Sequence, residues 1–267
     1  MAGRDQRMAN LLLRYIAPFS GLRRLPIIGD LLSLASRRLV PPNILVWVQI
    51  QQGPAMGLWI SVNPRTGSAV QQGLNEPAVQ QALERYLRPG MTFYDLGANI
   101  GFFSLMAARI VGPSGRVVSF EADPENVARL RENIAYNKFD NTVVEQKAVW
   151  SETKTVMFTR VDVSTSPDRG LGHVSVGETS GAATIAIDAI SLDQFVLSHV
   201  PPDFLKCDVE GSEVAVFEGA QRLLREKRPI LLFEMHSIEN HQFLDEKFRK
   251  IGYTCNYLDA NHVLALP

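Results

Sequence analysis

Along residues 91–267, short apolar runs alternate with longer segments whose apolar residues recur at helical spacing. Strands that alternate with helices in this way form parallel crossovers. The pattern therefore predicts an α/β fold, a doubly wound and mostly parallel sheet with helices on both faces and an antiparallel C-terminal strand. The predicted strands are MTFYDL, RVVSFE, NTVVEQKAV, DFLKCD and PILLFEMH, followed by a hairpin of YTCNYLD and HVLAL, and SEVAVFEGAQRLLREK is predicted as one helix.

The sequence before residue 91 differs in composition from the rest. Residues 1–40 contain seven arginines and two acids, a balance of +5, which leaves 20 bases and 26 acids, a balance of -6, for the remainder. Apolar residues alternate with these arginines at loosely helical spacing, so we expect a basic, helical N-terminal extension. Two functions stay open for it: peripheral contact with an anionic membrane, or helices that cap the main domain. Residues 41–90 are expected to form strands, turns and a helix capped by Asn75, and residues 91–267 the main domain.

Net charge and cysteine content narrow the class of protein. The 267 residues include 27 Lys and Arg against 28 Asp and Glu, a near-neutral balance that disfavours nucleic acid as a partner. Cys207 and Cys255 lie inside apolar runs, and we expect them in the core of a protein from a reducing, cytoplasmic compartment. No run of about twenty apolar residues occurs, so no transmembrane helix is expected. His199, His241 and His262 are expected at the surface.

Acidic residues stand where the predicted strands end. They are Asp95, Glu121, Asp208 and Glu234, and the last is followed by His236. Ligands of doubly wound sheets bind outside these carboxyl ends. Buried carboxylates are costly without a partner, so this group of acids indicates a cationic or hydroxyl-rich ligand.

The turn after the first of these strands is rich in glycine and reads Gly97-Ala98-Asn99-Ile100-Gly101. Its G-x-x-x-G spacing differs from the G-x-G-x-x-G of dinucleotide sites, and Asp95, two residues earlier, would repel a phosphate. A ligand with an ammonium, a sulfonium and a ribose diol suits the turn better, and S-adenosylmethionine has all three. Glu121, 24 residues after Gly97, is placed to accept the two ribose hydroxyls.

Three stretches resemble the FkbM-type S-adenosylmethionine-dependent methyltransferases. They run from LRPGMTFYDLGANIGFF to RENIAYN, over VVEQKAVWSE, and from PPDFLKCDVEGSEV to LLFEMH, and together cover about residues 86–236. The resemblance implies a Rossmann-like class I methyltransferase fold that uses S-adenosylmethionine, with Glu121 at the ribose and Ala148 near the adenine. The residues that it implies at the methionine end are Asp95, Gly97, Ala98, Asn99 and Gly101.

The strand that reads DFLKCD offers candidates for the chemistry. Side chains alternate along a strand, so Lys206, Asp208 and Glu210 are expected on one side. In one mechanism Asp208 is a general base for a hydroxyl, tuned by Lys206 and Glu210. In the alternative, Asp208, Glu234 and His236 bind Mg²⁺, which lowers the pKa of that hydroxyl. Both mechanisms stay open.

Together these residues and the resemblance predict an O-methyltransferase that acts on a hydroxyl of a small molecule or sugar by in-line displacement. Two alternatives stay open. A nucleic-acid or protein N-methyltransferase is disfavoured because no Asn/Asp-Pro-Pro-aromatic segment follows the DFLKCD strand. The other alternative is a non-catalytic, membrane-associated module that binds the cofactor. Residues 161–183, rich in Ser, Thr and Gly, are expected to form a loop over which the substrate arrives.

Overall fold

The computed structural model describes residues 44–160, 172–175 and 184–267. The predicted extension at residues 1–40 and most of the expected loop at 161–183 lie outside the described residues. The strands are β1 (Val46–Gln49), β2 (Trp59–Val62), β3 (Thr92–Leu96), β4 (Arg116–Phe120), β5 (Thr142–Glu145), β6 (Ala148–Val149), β7 (Lys154–Thr159), β8 (His173–Ser175), β9 (Thr184–Ile190), β10 (Phe204–Cys207), β11 (Ile230–Glu234), β12 (Thr254–Tyr257) and β13 (His262–Leu266). The helices are α1 (Ser68–Gln72), α2 (Pro77–Tyr86), α3 (Phe102–Val111), α4 (Pro124–Tyr136), α5 (Leu192–Phe195), α6 (Glu213–Glu218), α7 (Gln221–Glu226) and α8 (Ile238–Lys250). None of the described helices is long and apolar enough to cross a membrane.

Seven strands form the central sheet in the order β12-β13-β11-β10-β3-β4-β5. The five strands from β11 to β5 are parallel, whereas β13 pairs antiparallel with both β11 and β12. The chain runs outward from β3 to β5 and then returns to build β10 and β11 on the other side of β3. This reversal opens a crevice at the carboxyl ends of β3 and β10. The prediction of a doubly wound sheet with an antiparallel C-terminal strand is confirmed.

Alternating side chains of the central strands build one apolar core on each face of the sheet. On β3, Phe93 packs with residues of α2, α3 and α4, whereas Tyr94 packs on the other face with residues of α5 to α8. Cys207 and Cys255 are buried in this second core, so the prediction that both cysteines are core residues is confirmed. Burial raises the pKa of the Cys207 thiol well above its ordinary value.

The prediction of one strand over NTVVEQKAV is wrong. The chain turns after Glu145, where the Lys147 N–H donates to the Glu145 carbonyl at 2.9 Å. The next two residues, Ala148 and Val149, then pair with β9 in a second sheet of order β6-β9-β7-β8. The turn carries Ala148 away from the central sheet and over its carboxyl edge.

Two further predictions near helix ends are also corrected. The segment predicted as one helix forms α6 and α7, because the Gly219 carbonyl leaves the helical pattern and accepts the Asp193 N–H at 2.9 Å. Glu76, and not Asn75, directly precedes α2, with a left-handed φ of 43° and no side-chain cap. A left-handed backbone is uncommon for a glutamate, so the chain holds Glu76 in a specific orientation.

The hairpin of β1 and β2 packs across α4. The backbone N–H groups of Trp59 and Ser61 donate to the side chains of Asn137 and Asn133, at 2.9 and 2.8 Å. These bonds fix the position of β2. The chain from the end of β2 through α1 therefore lies against the carboxyl edge of the central sheet and closes one side of a cavity there.

Candidate active site

A cavity of about 430 Å³ lies at the carboxyl ends of the central strands. The order of the strands sets the order of its wall: Glu234 ends β11, Asp208 follows β10, Gly97 follows β3 and Glu121 follows β4. Ala148 of β6 lies in the same wall. Chain segments that are far apart in the sequence therefore meet in a single crevice.

Gly97 directly follows β3, where the chain passes against the residue after β10. Its φ is 78°, and a Cβ there would collide with the backbone carbonyl oxygen of Asp208. The N–H groups of Gly97 and Ala98 both donate to the Phe120 carbonyl, at 3.0 and 2.9 Å. A residue without a side chain is needed here, because the turn is joined to β4 and also touches the end of β10.

Glu121 is buried at the end of β4, where its carboxylate closes the neighbouring turn. One oxygen accepts the Asn99 N–H at 2.7 Å and the other accepts the Asp123 N–H at 2.8 Å. Burial raises the pKa of Glu121 to about 7, although these N–H donors favour its charged form. Ala148 and Phe158 supply an apolar part of the cavity wall. The structure thus brings Glu121, Asn99 and Ala148 to the same cavity, and their roles at the cofactor stay predictions.

Asp95 and Gly101, which were also predicted to contact the cofactor, do not line this cavity. Asp95 is 1% exposed and accepts the Ser104 hydroxyl at 2.5 Å. Burial raises its pKa, and Lys206, its neighbour on β10, opposes that rise. Gly101 directly precedes α3 with a φ of 94°, and a Cβ there would collide with Leu130. These two residues shape the turn from beneath the cavity.

Lys206 and Asp208 form an ion pair in the cavity wall. The ammonium lies 2.9 Å from Asp208 Oδ2 and 5.0 Å from the centre of the Phe103 ring. Burial alone would raise the pKa of Asp208, but the charge and hydrogen bond of Lys206 hold it below its ordinary value. The pKa of the neighbouring Glu234 is raised to about 7 by burial and by the Asp208 charge. The Lys206 charge therefore favours the ionised form of Asp208.

Glu213 was not identified from the sequence, although it organises the turn after β10. It is 1% exposed, and its Oε1 accepts the Gly211 N–H at 3.1 Å and lies 3.0 Å from His236 Nδ1. This hydrogen bond, with the nearby charges of Glu210 and Glu234, raises the pKa of His236 to about 9, although burial opposes it. An acid at the first helical position after a glycine turn is the signal that could have revealed Glu213.

Of the residues predicted to bind Mg²⁺, His236 does not lie closest to its proposed partners Asp208 and Glu234. His236 Nε2 lies 4.0 Å from Asp208 Oδ1 and 3.9 Å from Glu234 Oε2, but 3.3 Å from Glu210 Oε2. Among the described residues, two groups bring three ligand atoms within 4.8 Å of one another: Asp208 with Glu210 and His236, and Glu76 with Glu234 and His262.

The second of these groups corrects the expectation that His262 lies at the surface. His262 is 7% exposed, because its position on β13 pairs it with Glu234 of β11. Glu76 approaches from the residue before α2, and Glu76 and Glu234 both line the cavity. The sequence predicts HVLAL as a hairpin strand without indicating its partner, and the antiparallel register with β11 shows that His262 is covered.

Comparisons with known proteins identify the family to which the chain is similar. The family model described as the methyltransferase FkbM domain matches residues 95–255, more than half of the chain. An arsenite methyltransferase of Halobacterium salinarum is 32% identical over 88 residues, 31% of this chain and 22% of that protein. A protein-L-isoaspartate O-methyltransferase of Triticum aestivum is 41% identical over 54 residues, 20% of this chain and 24% of that protein. The chain thus matches only about a quarter of the length of these curated relatives. A solved methyltransferase FkbM of Methylobacillus flagellatus superposes with a TM-score of 0.49 at 19% identity, over 76% of this chain and 48% of the other.

Proposed function

The chain belongs to the methyltransferase FkbM domain family, and from this premise we propose that it transfers the methyl group of S-adenosylmethionine to a hydroxyl oxygen of a small molecule or sugar. One observation carries the choice of acceptor. The Asp208 carboxylate lines the cavity, and Lys206 keeps it ionised. A carboxylate in that state accepts the proton that a hydroxyl must lose when its oxygen attacks.

The half of the cavity near β3, β4 and β6 fits S-adenosylmethionine. The Glu121 oxygens each accept one N–H and keep lone pairs that suit the two ribose hydroxyls. Ala148, Val149 and Phe158 supply an apolar wall of the kind that an adenine ring requires. The bound cofactor supplies a methyl group already activated by its sulfonium. What is left to the protein is alignment of the acceptor and removal of its proton.

The other half of the cavity suits a neutral, hydroxyl-rich acceptor. Glu76, Glu210 and Glu234 line it beside Asp208, and carboxylates accept hydrogen bonds from several hydroxyls at once. The same negative charges would repel the phosphates of a nucleic acid. In this mechanism Asp208 takes the proton and Lys206 positions Asp208 through their 2.9 Å contact.

The test is methyl transfer from labelled S-adenosylmethionine to a panel of sugars and hydroxylated small molecules. Replacing Asp208→Asn should lower turnover by about 10²- to 10⁴-fold, because the proton acceptor is lost, while cofactor binding stays intact. Asp140→Asn is the matched control, since Asp140 is an exposed acid away from the cavity. Full activity of the Asp208 variant, or label that appears only in RNA or protein, would overturn the proposal.

A further inference from the structure

Glu76, Glu234 and His262 form a compact cluster to which the proposed proton transfer assigns no step. They come from three separate elements: the residue before α2, the end of β11 and the start of β13. His262 Nε2 lies 3.4 Å from Glu76 Oε2 and 3.9 Å from Glu234 Oε2. One ligand atom of each residue lies within 4.8 Å of the other two. The fold therefore brings two carboxylates and an imidazole to one point.

Asp259 fixes the orientation of the His262 ring. The Asp259 carboxylate lies 2.9 and 3.0 Å from His262 Nδ1 and accepts the backbone N–H groups of Asn261 and His262, each at 2.9 Å. A carboxylate only accepts, so Nδ1 carries the proton in this contact. In the neutral ring Nε2 then presents its lone pair to the two glutamates. A carboxylate that holds the far nitrogen of an imidazole is the usual support of a metal-binding histidine.

The atoms that face each other in this cluster are buried and lack hydrogen bonds. Glu76 Oε2 and His262 Nε2 are both inaccessible to solvent, and neither makes a hydrogen bond to any described residue. The His262 side chain is only 9% exposed. When the His262 ring is neutral, oxygen and nitrogen lone pairs face one another out of water and repel, and a cation between them removes that repulsion. A proton on Nε2 competes with that cation because, although burial opposes it, Glu76 and Asp259 raise the pKa of His262.

We propose that Glu76, Glu234 and His262 bind a divalent first-row transition-metal ion such as Zn²⁺ or Mn²⁺. An imidazole together with carboxylates suits these ions, whereas Mg²⁺ prefers a site made of oxygen ligands alone. Ligand atoms around a tetrahedral zinc ion lie about 3.3 Å apart, as follows from bonds of about 2.0 Å. The distances of 3.4 and 3.9 Å therefore need only small side-chain rotations to close on an ion.

The neighbouring group of Asp208, Glu210 and His236 is less suited to a metal. The Lys206 ammonium lies against Asp208 Oδ2 at 2.9 Å and would compete with a cation there. Within the described part of the chain, no lysine or arginine forms an ion pair with Glu76, Glu234 or His262, although the Lys206 charge acts on Glu76 from a longer distance. Because Glu76 and Glu234 line the cavity, the coordination positions that the three ligands leave open would face the acceptor half.

The experiment measures metal binding by the whole protein in the absence of cofactor. Chelator-treated protein is titrated with ZnCl₂, MnCl₂ and MgCl₂ by calorimetry, and the retained metal is counted by mass spectrometry after gel filtration. We expect one Zn²⁺ or Mn²⁺ per chain and weaker binding of Mg²⁺. His262→Gln and Glu76→Gln should each lower the affinity at least about tenfold, and Asp259→Asn by about 10- to 100-fold. His241→Gln, at a histidine that contacts Tyr257 and does not line the cavity, is the matched control and should change the affinity less than about twofold, while circular dichroism verifies that each variant is folded.

Two results would overturn the metal site. One is failure of the folded wild-type protein to retain Zn²⁺ or Mn²⁺, which would mean that a proton on His262 balances the glutamates instead. The other is binding that His236→Gln abolishes and both His262→Gln and Glu76→Gln leave intact. No methyl transfer is measured, so a protein that binds the metal but methylates no hydroxyl would contradict the proposed function alone.

Discussion

Replacing Lys206→Met removes the charge that neutralises Asp208 and keeps an unbranched side chain of similar length. Lys206 is 3% exposed, and its ammonium is 2.9 Å from Asp208 Oδ2. Removing one partner of a buried ion pair costs about 3–5 kcal/mol of unfolding free energy. The Asp208 side chain is 19% exposed, so water reaches it and lowers the cost. We therefore expect a loss of about 2–3 kcal/mol.

Urea denaturation at pH 7 measures this loss, with Lys250→Met as the matched control. Lys250 pairs with Glu246 at 3.2 Å in an exposed i,i+4 contact, which contributes less than about 1 kcal/mol. The pKa of Asp208 is lowered in the folded protein, so the contribution of the pair is complete above its ordinary pKa. It is lost as pH falls through the lowered value, and the gap between wild type and the Lys206 variant should then narrow. If the Lys206 variant is as stable as the Lys250 variant at pH 7, Asp208 does not depend on Lys206 and this view of the ion pair is wrong.

Three other outcomes are expected. Gly97→Ala places a Cβ against the carbonyl oxygen of the residue after β10 and should lower the unfolding free energy by about 1–3 kcal/mol more than Gly57→Ala does. Gly57 is the control because its φ is also positive, but nothing lies within 4 Å of a Cβ there. Equal melting temperatures of the two variants would contradict this. With the pKa of Glu121 at about 7, its ionised fraction rises about tenfold from pH 6 to 8. The affinity for S-adenosylmethionine in calorimetry should therefore rise with pH in wild type and stay flat in Glu121→Gln. Because the pKa of Glu121 is raised in the folded protein, folding takes up a proton at pH values between the unfolded and the folded pKa. The stability that Glu121 contributes is therefore complete below its unfolded pKa and falls as pH rises towards 7. Iodoacetamide should alkylate Cys207 and Cys255 in urea but not in the folded protein, since burial raises both thiol pKa values; labelling of folded protein would show that these strands open.

The central sheet and half of the cavity could be predicted because their signals are local. Short apolar runs between helical segments indicate parallel strands. An acid directly after such a run therefore lies at the carboxyl edge of the sheet. Glu121 and Asp208 were found in this way, and both line the cavity. Gly97 was likewise recognisable, because the turn that it occupies follows a strand directly.

The remaining residues of the site depend on pairings that no local pattern contains. His262 is buried because the antiparallel register of β13 places it beside Glu234, and the apolar pattern of its own strand is the same in any register. Glu76 reaches the cavity through a left-handed backbone that its sequence does not reveal. Ala148 leaves the central sheet because the chain turns between Glu145 and Lys147, inside a segment that was predicted as one strand.

The position of the transferred methyl group tests the proposed transfer to a hydroxyl oxygen most directly. The protein is incubated with S-adenosylmethionine labelled with ¹³C at its methyl group and with the sugar and small-molecule acceptors, and the product is examined by carbon NMR. A methoxy signal is expected with wild-type protein and with Asp140→Asn, and it should be lost with Asp208→Asn. A methyl signal on nitrogen, sulfur or carbon, or a methoxy signal that persists in the Asp208 variant, would contradict it.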